Sequence, residues 1–240
     1  MRPIACWRRR KGRVYGAFCA HLDAGVSGGR GQSFGSARGR ALPRRLANHY
    51  VRSKLEAEGL VQQASAAGLP TVTLRPRGLY GPGDTVVLPR IIRALQSGRL
   101  PRIGPPDTIV DMTYIDNAVD AVILALNAGD EALGRTYHIT DGTPVPVWPF
   151  VDRLCELLSL PKPTRTVSVR TILLAAGALE GLHSTLLRHR EPLMTRYTAR
   201  LLAESLTLDI GAARRELGYQ PTVSIEKGLP IFCDWWRRQA

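Results

Sequence analysis

Lysine is scarce in this 240-residue chain, with 4 positions against 29 of arginine. The four cysteines, Cys6, Cys19, Cys155 and Cys233, form no Cys-x-x-Cys pair and no set with histidine. Neither zinc nor a disulfide framework is suggested by that spacing. Long apolar runs are missing too. The most apolar segment, Thr171–Leu187, is shorter than the ~20 residues a membrane-spanning helix needs and carries Glu180 and His183. The opening MRPIACWRRRKGR lacks the apolar centre of a secretory signal, so a cytoplasmic protein is expected. Acidic residues are almost absent from the first fifth of the chain. Residues 1–45 hold 11 Lys or Arg against Asp23 alone, a balance of +10, whereas 46–240 hold 22 basic and 19 acidic residues, a balance of +3. The overall +13 is therefore a local property. With no aromatic platform or basic helix beside those arginines, nucleic acid is not read as a partner.

What is present becomes regular from about Asn48. YVRSKLEAEGLVQQASAAG (50–68) has a helical stripe of Val51, Leu55, Val61 and Ala64, with Gly68 where a helix cap belongs. TVTLRP (71–76) is a β-branched strand running into the turn GLYGPGD (78–84). LPRIIRALQSG (88–98) is a second helix. IVDMTYI (109–115) reads as a strand, followed by a helix that Asp116 can cap. RTYHITDG (135–142) is a strand and turn, and VWPFVDRLCELLSL (147–160) another helix. This alternation indicates an α/β architecture with a parallel sheet. Residues 171–187 have Ile172, Ala176, Leu179, Leu182 and Leu186 on one helical side. Burial against the protein's own body is expected there, with the flanking Arg170, Arg188 and Arg190 leaving a membrane surface as the alternative.

Two patterns invite a chemical reading. GVSGGRG (25–31) has the glycine spacing of a dinucleotide loop. Downstream, however, QSFGSARGRALPRR has no apolar helical stripe, and no acidic residue lies roughly 20 positions on for a ribose hydroxyl. The second pattern is stronger. In NHYVRSKLEAE (48–58), Tyr50 and Lys54 are one helical turn apart and share a face. A phenol titrates near ~10, and an adjacent ammonium favours the phenolate, bringing that value toward neutrality. Tyr50 can then exchange a proton with an alcohol or carbonyl, and the ammonium can also donate to ribose hydroxyls. A chain that otherwise prefers arginine places lysine here, a compact charge rather than a planar fork.

NHYVRSKLEAE resembles the Tyr-x-x-x-Lys segment of the extended short-chain dehydrogenase/reductase superfamily, which includes NAD-dependent epimerases and dehydratases. There the lysine is followed by Ala-Glu, as here at Ala57–Glu58. LRPRGLYGPGD (74–84), VDMTYIDNAVDAVILAL (110–126), YHITDGTPV (137–145) and LDIGAARRELGYQPTVSIEKGL (208–229) resemble later segments of that superfamily in order. The Tyr-Ile-Asp-Asn wording and REPLMTRYTARLLAESLTLDI (190–210) look most like its 3β-hydroxysteroid and sterol dehydrogenase branch. The resemblance implies Tyr50 as general acid/base and Lys54 as its partner and ribose ligand. Pro76, Arg77, Gly78 and Leu79 would border the nicotinamide of NAD or NADP. The implied reaction is hydride transfer between that cofactor and a secondary alcohol or ketone. The implied partner is a small molecule, a sterol or steroid suiting the few charges of LLAAGALEGL (173–182). A nucleotide-sugar epimerase or dehydratase is the alternative within the superfamily, and oligomeric state is left open.

The superfamily's glycine fingerprint precedes its tyrosine by about a hundred residues, because several strand–helix units intervene. Here Gly31 and Tyr50 are 19 residues apart, too few for a βαβ unit of roughly 30 residues. Nor is there a convincing serine partner, since Ser27 lies in GVSGGRG rather than at a strand end. The expectation is therefore an incomplete Rossmann-like parallel sheet with a C-terminal α/β substrate-binding region, in residues 42–240. Residues 1–41 are expected to be a basic Gly/Arg-rich segment without regular structure and foreign to the fold. A catalytically inactive remnant is the competing expectation to a dehydrogenase.

Overall fold

A computed structural model describes residues 4–10, 13–19, 49–98, 100–169, 171–172, 203 and 205–239, with backbone alone up to residue 52. The strands and helices in chain order are β1 (Ile4–Arg10), β2 (Arg13–Cys19), α1 (His49–Ala66), β3 (Thr71–Pro76), β4 (Leu79–Tyr80) and α2 (Val87–Gln96). There follow β5 (Arg102–Ile103), β6 (Ile109–Val110), β7 (Thr113–Tyr114), α3 (Ile115–Asn127), β8 (Thr136–Ile139) and β9 (Val145–Pro146). The last are α4 (Val147–Leu158), β10 (Thr166–Val167), α5 (Gly211–Leu217) and α6 (Ile225–Arg237).

β3 organises the main sheet, whose order is β1-β2-β3-β8. Its parallel partners are β2, with Leu74 opposite Cys19, and β8, with Pro76 opposite Ile139. Successive side chains of a strand point to opposite faces, so β3 and β8 each divide into two sets. Val72, Leu74, Tyr137 and Ile139 form an apolar face covered by Ala121 and Ala125 of α3 and by Ala213, Leu217 and Tyr219 in and after α5. The opposite set includes Thr73, Arg75 and His138. This polar side receives α1, through Arg75 and Glu58. A second core lies beyond the sheet, where Leu88 and Ile92 of α2, Trp148 and Leu154 of α4 and Phe232 of α6 pack together. Short strand pairs tie that layer down: β4 with β7, β5 with β10, and β6 with β9.

The architecture is α/β, as the alternating pattern predicts, and the sheet joins parallel strands. Four local expectations change. Residues 4–10 and 13–19, expected to lack regular structure, form β1 and β2, which pair antiparallel and make the sheet mixed. Residues 20–41, including Ser27 and most of the glycine loop's surroundings, lie outside the described residues. The stretch 109–115 is two short strands in separate pairs rather than one. Asp116 is not a cap. Tyr114 holds the position before α3 and Asp116 lies in its first turn, where the helix dipole still favours a negative charge. The stripe expected to bury α1 is only half-buried at Leu55, Val61 and Ala64, and the buried positions are Lys54 and Glu58. Gly68 does end α1, with the left-handed φ of 97° that glycine adopts freely. The apolar segment 173–187 lies outside the described residues, among which no helix is long and apolar enough to cross a membrane.

Candidate active site at the carboxyl edge of the sheet

A short turn leads from α1 into β3, and Glu58, two turns before Ala66, reaches Arg75 near the end of that strand, so α1 runs back along β3. From Lys54 to Ala66 is ~18 Å of helix, and β3 is ~20 Å of strand. Lys54 thus lies toward the carboxyl edge of the sheet, the edge at which open parallel sheets bind ligands. It is only 5% exposed. Burying a lysine disfavours its charge unless partners compensate, which is why such positions are uncommon outside functional sites. Position 50 is one turn earlier on α1, and the Tyr50 side chain lies outside the described residues.

Glu58 holds this helix to the strand. Its carboxylate accepts from Arg75 Nε at 3.1 Å, from Arg75 Nη2 in a close ion pair, and from Gln62 Nε2 at 3.3 Å. The Glu58 side chain is buried while that of Arg75 is 27% exposed, so solvent reaches the pair from the arginine side only. Beside it on β8, opposite Arg75, is His138. Burial first, and the Arg75 charge second, push that imidazole down to about 4, with Asp209 opposing.

The four residues expected to border a nicotinamide lie together where β3 ends. Pro76 is the last residue of β3 and Leu79 the first of β4, which pairs with β7 through Leu79 and Thr113. Arg77 is buried, and its N–H donates to the Ile139 carbonyl at 3.2 Å and to Thr113 Oγ1 at 3.2 Å. The Thr113 hydroxyl in turn lies 2.5 Å from the Arg77 carbonyl and 3.0 Å from that of Ile139, so one buried side chain braces both strand ends. Gly78 takes a left-handed φ of 55°, and a Cβ there would come within 3.1 Å of the Asp111 carbonyl oxygen. Glycine lets the turn pass this close to the next segment.

A polar cluster lies behind the turn. Asp111 accepts from the Leu208 N–H at 2.6 Å, and burial raises its pKa against the nearby Arg77 charge. Asp141 accepts from Tyr114 N–H at 2.8 Å and Asn117 Nδ2 at 2.7 Å. Burial drives the Tyr80 phenol well above its ordinary range, aided by Asp141. Sequence reasoning singled out none of Asp111, Thr113, Asn117 or Asp141 as site residues. A weak signal existed for two of them, in the Asp-Asn pair before an alanine-rich helix and the Thr-Asp-Gly turn after a strand. No group of His, Cys, Asp or Glu among the described residues could hold a metal ion.

A family model of the 3-beta hydroxysteroid dehydrogenase/isomerase family matches residues 25–170, more than half of the chain. The chain belongs to this family. The match begins inside the segment 1–41 that the sequence sets apart, and it takes in both Tyr50 and Lys54 and the whole 76–79 turn. Among curated proteins, 2-alkyl-3-oxoalkanoate reductase of Stenotrophomonas maltophilia is 38% identical over 183 residues, 75% of this chain and 56% of that protein. The 3beta-hydroxysteroid-dehydrogenase/decarboxylase isoform 1 of Arabidopsis thaliana is 31% identical over 191 residues, 75% of this chain and 44% of that protein. The chain thus spans about half the length of these relatives. Among solved structures, UDP-glucuronic acid 4-epimerase from Bacillus cereus, in complex with NAD, superposes with a TM-score of 0.62 at 18% identity. That match covers 93% of this chain and 62% of the epimerase chain, and it supports the Rossmann-like α/β fold.

Proposed function

We propose that this chain carries the proton-transfer and substrate-side elements of an NAD(P)-dependent oxidoreductase acting on a secondary alcohol or ketone, of the 3β-hydroxysteroid dehydrogenase type. The observation that carries the reading is a buried lysine one turn after Tyr50, on the helix that Glu58 ties to Arg75 near the end of β3. The names of the Arabidopsis and Stenotrophomonas relatives describe alcohol–ketone chemistry at carbon 3 of an apolar framework, which supports a sterol, steroid or alkyl keto acid as the small-molecule substrate.

The residues present fit the nicotinamide end of such a cofactor. Gly78 lets the turn pack closely on Asp111, which fixes the end of β3, and Lys54 is buried on the helix that Glu58 ties to that strand. Pro76, Arg77, Gly78 and Leu79 would border the ring, with Lys54 on the ribose hydroxyls. Bound there, the cofactor supplies or accepts the hydride. Tyr50 gives a proton to the carbonyl oxygen in reduction and takes it from the alcohol in oxidation. Lys54 holds its phenol toward the phenolate and so brings its pKa nearer to neutrality. The Glu58–Arg75 pair keeps this helix fixed on β3, so the proton donor and the turn do not drift apart.

A second reading is a chain without turnover. The separation of Gly31 and Tyr50 by 19 positions favours it, being too short for a strand–helix–strand unit that would carry a pyrophosphate. Calorimetric titration with NAD⁺ and NADP⁺ separates the two, since binding supports the oxidoreductase and its absence the inactive form. Given binding, Tyr50→Phe is expected to lower turnover by about 10²–10⁴-fold with cofactor affinity kept. Undiminished turnover in that variant would remove Tyr50 from the mechanism.

A further inference from the structure

Asn117 and Asp141 meet where β4, the start of α3, the turn after β8 and the stretch leading into α6 converge. Asn117 is fully buried. Its Oδ1 accepts from the N–H groups of Thr222 at 3.0 Å and Val223 at 3.1 Å, while Nδ2 donates to the Val223 carbonyl at 2.8 Å and to Asp141 Oδ1 at 2.7 Å. The side-chain amide therefore pairs with Val223 as a neighbouring strand would, and keeps one N–H for Asp141. Asp141 also accepts from Tyr114 N–H at 2.8 Å and faces the Tyr80 hydroxyl at 3.4 Å. Gly228 backs the joint, since a Cβ there would lie 2.8 Å from the Tyr80 hydroxyl oxygen.

We infer that Asp141 and Asn117 are positioning residues, whose hydrogen-bonded joint seats residues 222–228, and with them α6, against the strand that continues the Pro76–Leu79 turn. Its consequence for turnover rests on the proposed reading of that turn; the joint itself does not.

The joint also responds to protons. Burial pushes the Asp141 carboxyl up to about 6, while hydrogen bonds from Asn117, Tyr114 and Tyr80 pull it down and the Asp111 charge pushes it up. Other groups face it from each neighbouring element. Arg77 lies against Asp111, and Asp116 against Tyr114 at the start of α3. Arg214 of α5 lies beside Gly142 and Tyr219, Asp120 acts on Tyr219, and Glu226 of α6 acts on Tyr80. A carboxyl held above its ordinary 3.8 binds its proton more tightly in the closed joint than in an opened one. Closure therefore gains as pH falls through about 6 and loses as pH rises. A proton on Oδ2 can be donated to the Tyr80 oxygen, which keeps that contact in acid.

Amide hydrogen exchange on the full chain, read as protection factors for residues 222–229 between about pH 4.5 and 7, tests this. Asn117→Ala is expected to lower protection there about tenfold to hundredfold, as loss of its three hydrogen bonds to Thr222 and Val223 does. Asp141→Asn keeps the shape but cannot titrate. Relative to it, the parent is expected to gain up to about tenfold in protection per pH unit on acidification within that window. Unchanged protection in Asn117→Ala, or one pH slope shared by parent and Asp141→Asn, overturns the inference. If Asn117→Ala does not fold, the parent and Asp141→Asn slopes decide it. Exchange is read without turnover, so failure of the nicotinamide reading would leave this result standing.

Discussion

Glu58 shows how much one side chain can do when it is buried and paired. It is 3% exposed, it meets Arg75 through both carboxylate oxygens, and it lies one turn beyond Lys54. Neutralising it removes the charge-assisted bonds to Arg75, whose side chain is 27% exposed and is partly solvated in their place. Glu58→Gln is therefore expected to lower stability by about 1–3 kcal/mol, read as a shift in the urea midpoint without a change in slope. A shift under about 0.5 kcal/mol would mean that solvent replaces the carboxylate. The Ala-Glu that follows the lysine was visible in the sequence as part of a family pattern. Its contact with Arg75 was not, because 17 residues and a chain reversal separate the two.

Among the elements, α6 depends most on close approach. Gly228 lies inside it, and a Cβ at that position would come within 2.6 Å of Tyr114 Cδ2 and 2.8 Å of the Tyr80 hydroxyl oxygen. Those two rings are buried and packed edge-on with centroids 5.5 Å apart, so neither can retreat freely. Gly228→Ala improves helix propensity by about 1 kcal/mol, yet the overpacking outweighs it. The expected outcome is a net loss of about 1–2 kcal/mol, measured by thermal unfolding; a gain in stability would show that α6 can slide away from the rings. α1, β3, α2 and α4 were legible within a residue or two, since each is a local pattern bounded by glycine or proline. The 109–115 stretch was not. Its β-branched and aromatic residues suit a strand, and only the neighbours on either side divide it into β6 and β7.

At the scale of the whole molecule, two groups oppose each other in acid. The half-buried His138 has a buried Nδ1 with no hydrogen-bond partner among the described residues and is pushed down to about 4 from 6.5. Folded His138 holds fewer protons than unfolded His138 between those values, so its contribution is complete above pH 6.5 and is lost as pH falls toward 4. Asp141, raised to about 6, contributes in the opposite sense. Denaturant unfolding across about pH 4–7 should show His138→Gln losing less stability on acidification than the parent, and equal slopes would rule the imidazole out. The sequence by itself determined the helix and strand periods, the place of Tyr50 and Lys54 one turn apart, and the family resemblance, because each is written in neighbouring residues. Tertiary structure alone decided that Lys54 and Glu58 face inward rather than the apolar stripe, and that Asn117 pairs with Val223. It also decided that Asp141 and His138 titrate away from their ordinary values. Burial and partners far along the chain set those properties, and no local pattern records them.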